Sequence, residues 1–368
     1  MTDNYKNIIN SFIKNKNLYP KKIDKKNNFL ECVRSLNNHH LKLCKSFKNI
    51  IEANGFKIEL KNKIEDEFFL PVNIFKRFNL LSIKEKNINN QLQSSGTSGN
   101  VSKIFLDNNS ALVNNRILFK ILKNEFKNFN IPIVFLDKEP SQNNIFDARK
   151  AAVKGFSILS KNKHYVVNQD DSLNLNKFNK IVKETKDKPA YIFGFTSVLW
   201  SLFNKYSSLI ESNLSNFTII HGGGWKKMSD NNINIEKFNN FFFKKFKIKN
   251  IKNYYGMVEQ IGSIFFNCEF NFFHTHAFSD IVIRDKNLQH QPFKQIGFVQ
   301  LISLLPRSYP GHSILTEDLG TIFGEDDCKC GRAGKYFKIW GRLPKSEIRG
   351  CSDAVSYTHL TLPTKRRV

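Results

Sequence analysis

FTIIHGGGW, residues 217–225, decides how the chain is read, because four β-branched or aromatic residues run straight into His221 and three glycines. A short apolar run of that make-up reads as a buried strand. Glycines at its end suit either a plain tight turn or a backbone bared so that a flat ligand lies against it, with Trp225 beside it. Behind the turn, NINIEKFNNFFFKKFK (232–247) has helical apolar spacing. Working outward, the same kind of run recurs as IPIVFL (131–136), AYIFGF (190–195), DIVIRD (280–285) and GFVQLISL (297–304). A further helix is predicted over SLNLNKFNKIVKETK (172–186), and helical spacing such as Ile8, Ile9, Phe12 and Ile13 marks the Lys/Asn-rich first 90 residues. Strands alternating with helices predict an α/β architecture whose ligands sit at the C-terminal ends of strands.

Composition narrows the class. The chain has 368 residues, 40% of them hydrophobic and 13% aromatic, enough for a substantial buried core. No run of 18 apolar residues occurs, so no membrane span is expected, and the N-terminus lacks the apolar core of a secretory signal. Six cysteines in a chain of this length do not make a disulfide scaffold. These features point to a soluble, cytoplasmic globular protein. The net charge of +25 would suit nucleic acid, but Lys, Asn, Ile and Phe are inflated together and the lysines are spread along the chain. That pattern fits a compositional bias better than a nucleic-acid arm, and no nucleic-acid partner is expected. The run VSYTHLTLPT (355–364) has neither Asn nor Lys and matches the translation of a transposon-end sequencing adapter. Residues 354–368 are therefore expected to be read-through rather than native chain.

Four further stretches carry chemistry. SSGTSGN (94–100) offers Ser94, Ser95, Thr97 and Ser98 hydroxyls with Gly96 and Gly99, a loop suited to a polyphosphate or a flexible turn. It is not a Walker A loop, since GxxxxGK[ST] is absent. NYYGMVEQIG (253–262) places Tyr255 and Gly256 ahead of Glu259, a carboxylate able to hold magnesium. LTEDLG (315–320) supplies Asp318, a candidate acceptor for ribose hydroxyls, and FKIWGRLPKSEIRGCSD follows with Arg342. Each carboxylate taken singly reads as a solvated surface group. Cys328 and Cys330 form a CxC pair, and Cys268 with His274 or His276 forms a second arm. Three thiolates and an imidazole suit a closed structural zinc site. Cys32 and Cys44 read as core residues.

The order of these stretches resembles the adenylate-forming superfamily, and within it the acyl-protein synthetase (LuxE) family, with phenylacetate-CoA ligases as relatives. YYGMVEQIGSIFFNCE, CKCGRAGKYFKIWGR and EIRGCSD carry the resemblance, which spans about Leu70 to Asp353. It implies the large N-terminal domain of that α/β fold, with the C-terminal lid domain reduced to a stub. The expected organisation is a mainly helical part over 1–90, a nucleotide- and acyl-binding core over 91–340, and a hinge and acyl-acceptor stub over 341–353. The implied reaction turns ATP and a fatty or other carboxylic acid into acyl-AMP and pyrophosphate, then moves the acyl group to a thiol. By the same resemblance, Ser94 to Gly99 would hold the β- and γ-phosphates, Gly222, Gly223, Gly224, Tyr255 and Gly256 would border adenine, and Glu259 would bind Mg2+. Asp318 would take the ribose and Arg342 the ribose or phosphate side. Lys345 stands in for the missing lid's lysine, and Cys351, between Arg349 and Asp353, would accept the acyl group before an acyl reductase partner receives it. A structural Zn2+ on Cys268, His274, Cys328 and Cys330 is also implied, with His274 preferred because His276 stands where the family often has proline. The alternatives are a ligase acting on coenzyme A or a carrier thiol, and a non-catalytic basic binding protein.

Overall fold

A computed structural model of the chain describes residues 2–56, 63–94, 101–140, 145–211, 213–223 and 233–342. Two compact units are present, one built from residues 1–120 and 256–368, the other from 121–255.

The first unit opens with three helices, α1 (Thr2–Lys14), α2 (Lys22–Leu43) and α3 (Lys45–Ala53). On α2 the residues Phe29, Leu30, Val33 and Leu36 turn inward, and Asn37 and His40 follow on the same face. After β1 (Leu70–Pro71) and the short α4 (Ile74–Arg77), β2 (Asn90–Gln93) and β3 (Lys103–Leu106) pair antiparallel, Asn90 opposite Leu106 and Gln93 opposite Lys103. The boundary between the units falls inside α5 (Asn108–Glu125).

The second unit contains β4 (Ile133–Phe135), β5 (Ile145–Asp147), α6 (Ala148–Phe156), β6 (Lys163–Tyr165), α7 (Leu175–Glu184), β7 (Ala190–Phe195), α8 (Thr196–Lys205), β8 (Phe217–Gly222), α9 (Ile235–Phe246) and β9 (Asn250–Tyr255). Five strands run parallel in the order β9-β8-β7-β4-β6. AYIFGF and FTIIHG become β7 and β8 residue for residue. Helix starts are fixed by side-chain caps that satisfy otherwise orphaned amides: Asn174 accepts from the Lys177 N–H at 3.0 Å, and Asn234 from the Lys237 N–H at 2.9 Å. One face of α9 buries Phe238, Phe242 and Phe246 against Ile219, Phe203 and Phe217.

The chain then returns to the first unit as β10 (Phe265–Phe266), β11 (Phe273–His274), β12 (Ser279–Arg284), β13 (Ile296–Ser303), β14 (Ser313–Glu325) and β15 (Lys335–Arg342). The last four strands form an antiparallel meander, with β11 along β15 and β1 parallel to β14. Inside this unit Asp280 sits between two buried lysines, 3.5 Å from Lys25 Nζ and 3.0 Å from Lys335 Nζ, and Glu65 lies 3.6 Å from Lys335. Among the described residues no helix is long and apolar enough to cross a membrane.

Candidate functional site

In the first unit, Glu259 sits in a single 3-10 turn, Val258–Gln260, and is 5% exposed. Burial pushes its carboxyl above the usual range, while the Ser102 hydroxyl and the charges of Arg342 and Lys76 counter part of that rise. Ser102 also closes the mouth of the 94–102 connection: its N–H donates to Ser94 Oγ at 2.9 Å and its carbonyl accepts from the Ser94 N–H at 3.1 Å. Ser94 and Ser102, on either side of the Ser/Thr/Gly loop, are thus tied to each other. Ser95, Gly96, Thr97, Ser98 and Gly99 lie outside the described residues.

Asp318 and Arg342 stand opposite each other on β14 and β15, with Arg342 Nε 3.2 Å from Asp318 Oδ1. The Asp318 N–H donates to Thr316 Oγ1 at 3.1 Å, and the Thr316 hydroxyl donates to the Val299 carbonyl at 2.9 Å, so the stretch of β14 before this pair is braced. Ser94, Glu259, Asp318 and Arg342 therefore belong to one unit, although 248 residues separate the first from the last. Lys345 and Cys351 lie outside the described residues.

In the second unit, Gly222 ends β8 and Gly223 follows with φ of 90°, a conformation that favours glycine. A Cβ at Gly222 would stand 2.5 Å from the Tyr254 ring. The room left by this glycine is filled by Tyr254 itself, stacked on Phe193 at 6.2 Å, while the neighbouring Tyr255 ends β9 half-buried. His221 is buried, with Nδ1 2.9 Å from Thr196 Oγ1 and its ring 4.6 Å from that of Phe238. Burial pushes its imidazole down to about 3, so it is neutral at physiological pH. Gly224 and Trp225 lie outside the described residues.

A third cluster lies wholly in the first unit. The ligand atoms of Cys268, His274, Cys328 and Cys330 all fall within 4.8 Å of one another, with Cys330 Sγ and His274 Nε2 3.3 Å apart. A tetrahedral zinc with metal–sulfur bonds of about 2.3 Å has edges of about 3.8 Å, so this donor set fits the ion with little movement. Burial pushes the Cys268 thiol up and the Cys328 thiol up to about 12, the direction that a bound cation would reverse. His276, the alternative imidazole, instead accepts from the Phe278 N–H and stacks on Phe265. Cys32 and Cys44 are buried free thiols.

Sequence reasoning missed several groups that hold this arrangement. Ser102 carried no signal beyond its place after the loop. Tyr309, Gly311 and Gln260 support the Glu259 turn, and only the SYPG spelling of residues 308–311, a turn sequence before an apolar strand, hinted at a tight backbone approach there.

A family model described as "Acyl-protein synthetase, LuxE" matches residues 14–360. The long-chain-fatty-acid–luciferin-component ligase of Vibrio harveyi is 24% identical over 325 residues, covering 81% of this chain and 79% of that protein. Among solved structures, 2-hydroxyisobutyryl-CoA ligase in its postadenylation state with 2-HIB-AMP is similar with a TM-score of 0.67 at 14% identity, over 89% of this chain and 69% of that one. An open conformation of the same ligase, with 2-HIB-AMP and CoA, also has a TM-score of 0.67, over 92% of this chain and 82% of that one. At such identities the structural likeness speaks for the fold, which is that of adenylate-forming ligases.

Proposed function

The chain belongs to the acyl-protein synthetase (LuxE) family and is an adenylate-forming ligase, and from that premise we propose that it activates a fatty acid as acyl-AMP and loads the acyl group on Cys351 for delivery to a partner such as an acyl reductase. The observation that supports this reading most is the family match that runs from residue 14 to residue 360, with the buried Glu259 and the Asp318–Arg342 pair in one unit.

In the first half-reaction a carboxylate oxygen of the acid attacks the α-phosphorus of ATP, a new P–O bond forms, and the bond to the β-phosphate oxygen breaks to release pyrophosphate. The protein's task is to bring the two anions into line and to stabilise the charge that develops on the leaving group. We assign Ser94 to Gly99 to the β- and γ-phosphates, Gly222 to Gly224 with Tyr255 and Gly256 to the adenine border, Asp318 to the ribose, Arg342 to the ribose or phosphate side, and Lys345 to the place of the lid's lysine. Magnesium, when bound, supplies neutralising charge on the pyrophosphate oxygens, and Glu259 fits it because a desolvated carboxylate gains most from a divalent cation. In the second half-reaction the Cys351 thiol loses its proton to solvent, the resulting thiolate attacks the acyl carbon to form a thioester, and the acyl–phosphate bond breaks to release AMP. A structural zinc on Cys268, His274, Cys328 and Cys330 belongs to the same proposal, with all four ligand positions filled by protein. The cytoplasm, where ATP is at hand, is its proposed place.

ATP–pyrophosphate exchange with a series of fatty acids tests activation. Glu259→Gln should lower exchange by about 10²- to 10³-fold; an unchanged rate removes the magnesium role. Label from radioactive acid should remain on the protein, be released by hydroxylamine, and vanish in Cys351→Ser with exchange retained. Label that moves to added coenzyme A, with none on the protein, replaces self-acylation by direct ligation. Metal analysis of the purified protein should find stoichiometric zinc, lost in Cys330→Ser.

A further inference from the structure

We infer that Tyr309 is a positioning residue for Glu259: its hydroxyl fixes the peptide that carries the carboxylate, and so sets the direction from which that carboxylate meets the metal–nucleotide. This rests on the magnesium role proposed above for Glu259.

The Tyr309 hydroxyl donates to the Glu259 carbonyl at 2.9 Å, and the side chain is 1% exposed. A tyrosine this deep must have its hydroxyl bonded, and a phenylalanine would fill the same space without that need. The acceptor moreover belongs to one of the two peptides that flank the Glu259 Cα, so its rotation would swing the Glu259 side chain. The next residue is clamped as well, since Gln260 Nε2 donates to the carbonyls of Leu301 at 3.0 Å and Gly311 at 2.9 Å. Gly311 permits the approach: a Cβ there would stand 2.3 Å from the Tyr309 ring and 2.8 Å from the Glu259 carbonyl oxygen.

The segment bearing Tyr309 is itself immobilised on both sides. Ser308 Oγ lies 2.7 Å from Ser110 Oγ and 3.1 Å from Asp107 Oδ1, and its carbonyl accepts from the Ser82 N–H at 2.8 Å. The carbonyls of Pro306 and Arg307 lie 3.1 and 3.0 Å from ring nitrogens of His40 and His39, and His312 Nε2 lies 2.8 Å from Asn37 Oδ1. Phe75 meets the Tyr309 ring edge-on at 6.0 Å. A backbone held at this many points passes its position on through one hydroxyl rather than yielding to it.

Tyr309→Phe tests the inference with the acid omitted, so that no turnover occurs. Mn2+ binding to the enzyme–ATP mixture, followed by electron paramagnetic resonance, should weaken about tenfold, the worth of one buried hydrogen bond. ATP binding in EDTA should stay close to that of the unsubstituted protein, whereas a merely structural role would weaken nucleotide and metal binding together, and the urea midpoint should fall only by the loss of one buried hydrogen bond. Pyrophosphate exchange should then need more Mg2+, with recovery at high metal concentration. Mn2+ affinity within twofold of the unsubstituted protein overturns the inference. Glu259→Gln separates the two failures: if it loses Mn2+ affinity while Tyr309→Phe does not, only the positioning role falls. If neither variant loses affinity, the magnesium role of Glu259 falls and takes the inference with it.

Discussion

In residues 121–255 the core cluster is carbon: Phe178, Phe203, Phe217, Phe238, Phe242 and Phe246 pack with Ile192, Ile219 and Leu199, and beside it stand the buried His221 and the pairs Glu125–Lys252 and Asp137–Arg149. In the other unit the interior holds ions and imidazoles as well. Lys25 and Lys335 flank Asp280, Asn37 donates to Glu67 at 2.7 Å, and the rings of His40 and His312 stack at 5.0 Å. The first arrangement is non-directional and each contact is replaceable. The second joins segments from opposite ends of the sequence through groups that must meet at set distances, since an unpaired buried charge is costly. That unit also carries Glu259, Asp318, Arg342 and the Cys/His cluster. The contrast teaches that the more directional interior belongs to the unit that carries the residues proposed for magnesium, ribose and zinc.

The largest effect should come from opening the buried ion cluster. Burial alone would raise Asp280, yet the charges of Lys25 and Lys335 hold it down to about 2, so it stays ionised at neutral pH. Asp280→Ala leaves two buried ammonium groups with less compensation and should cost about 3–5 kcal/mol. Urea unfolding of a form with Trp340 as the sole tryptophan would read the first unit, and a form keeping Trp200 the second, which should be little changed. A loss below about 1 kcal/mol in the first unit would put its ions on the footing of surface pairs and break the comparison.

Acid should act next, and unequally. Burial drives His276 and His312 down to about 3 and His40 well below its usual value in the first unit, while His221 is its counterpart in the second. A histidine whose folded pKa is depressed contributes stability that is complete above the unfolded value near 6.5. That stability is lost as the pH falls below it, at about 1.4 kcal/mol per pH unit for each. Asp280 adds nothing to this window, since its own contribution fades only below about pH 4. Between pH 6.5 and 4.5 the Trp340 form should therefore lose stability more steeply than the Trp200 form, since more of the strongly shifted histidines lie in the first unit. His312→Gln should remove one share of that slope. Equal slopes in the two forms would mean that the stacked imidazoles are not held neutral.

How far each region was legible in the sequence follows the same division. β7 and β8 coincide with AYIFGF and FTIIHG, and α7 and α9 begin and end within a few residues of their apolar pattern, because periodicity is a local property and a carbon interior needs little else. The CxC of Cys328 and Cys330 and the Cys268–His274 arm could be paired, since soft ligands are few and their chemistry restricts partners. Lys25, Asp280 and Lys335 could not be found: a lysine in a Lys-rich chain carries no mark of burial, and Asp280 lies 255 residues from Lys25 and 55 from Lys335. Tyr309 was hidden for the same reason. At Gly222 the reading was open between turn and ligand surface, and a third use, room for the Tyr254 ring, depends on a strand whose register no local pattern states.

The smallest effect is the sharpest control. If the units differ in their polar groups and not in how tightly their carbon is packed, a one-methylene deletion should cost the same in each. Ile219→Val in β8 and Ile322→Val in β14 remove the same atom from fully buried positions, 0% and 2% exposed, and keep the β-branch that suits a strand. Each should lose about 0.5–1.5 kcal/mol, read by the Trp200 and Trp340 forms respectively. Equal losses leave the acid slopes and the Asp280 result to be explained by charge and hydrogen bonding alone. A loss at Ile322 above about 3 kcal/mol, beyond the usual range for this deletion, would mean instead that the first unit is less able to close a cavity. Its sensitivity would then belong to rigid packing around the site, and the ions would be a consequence of that packing rather than its cause.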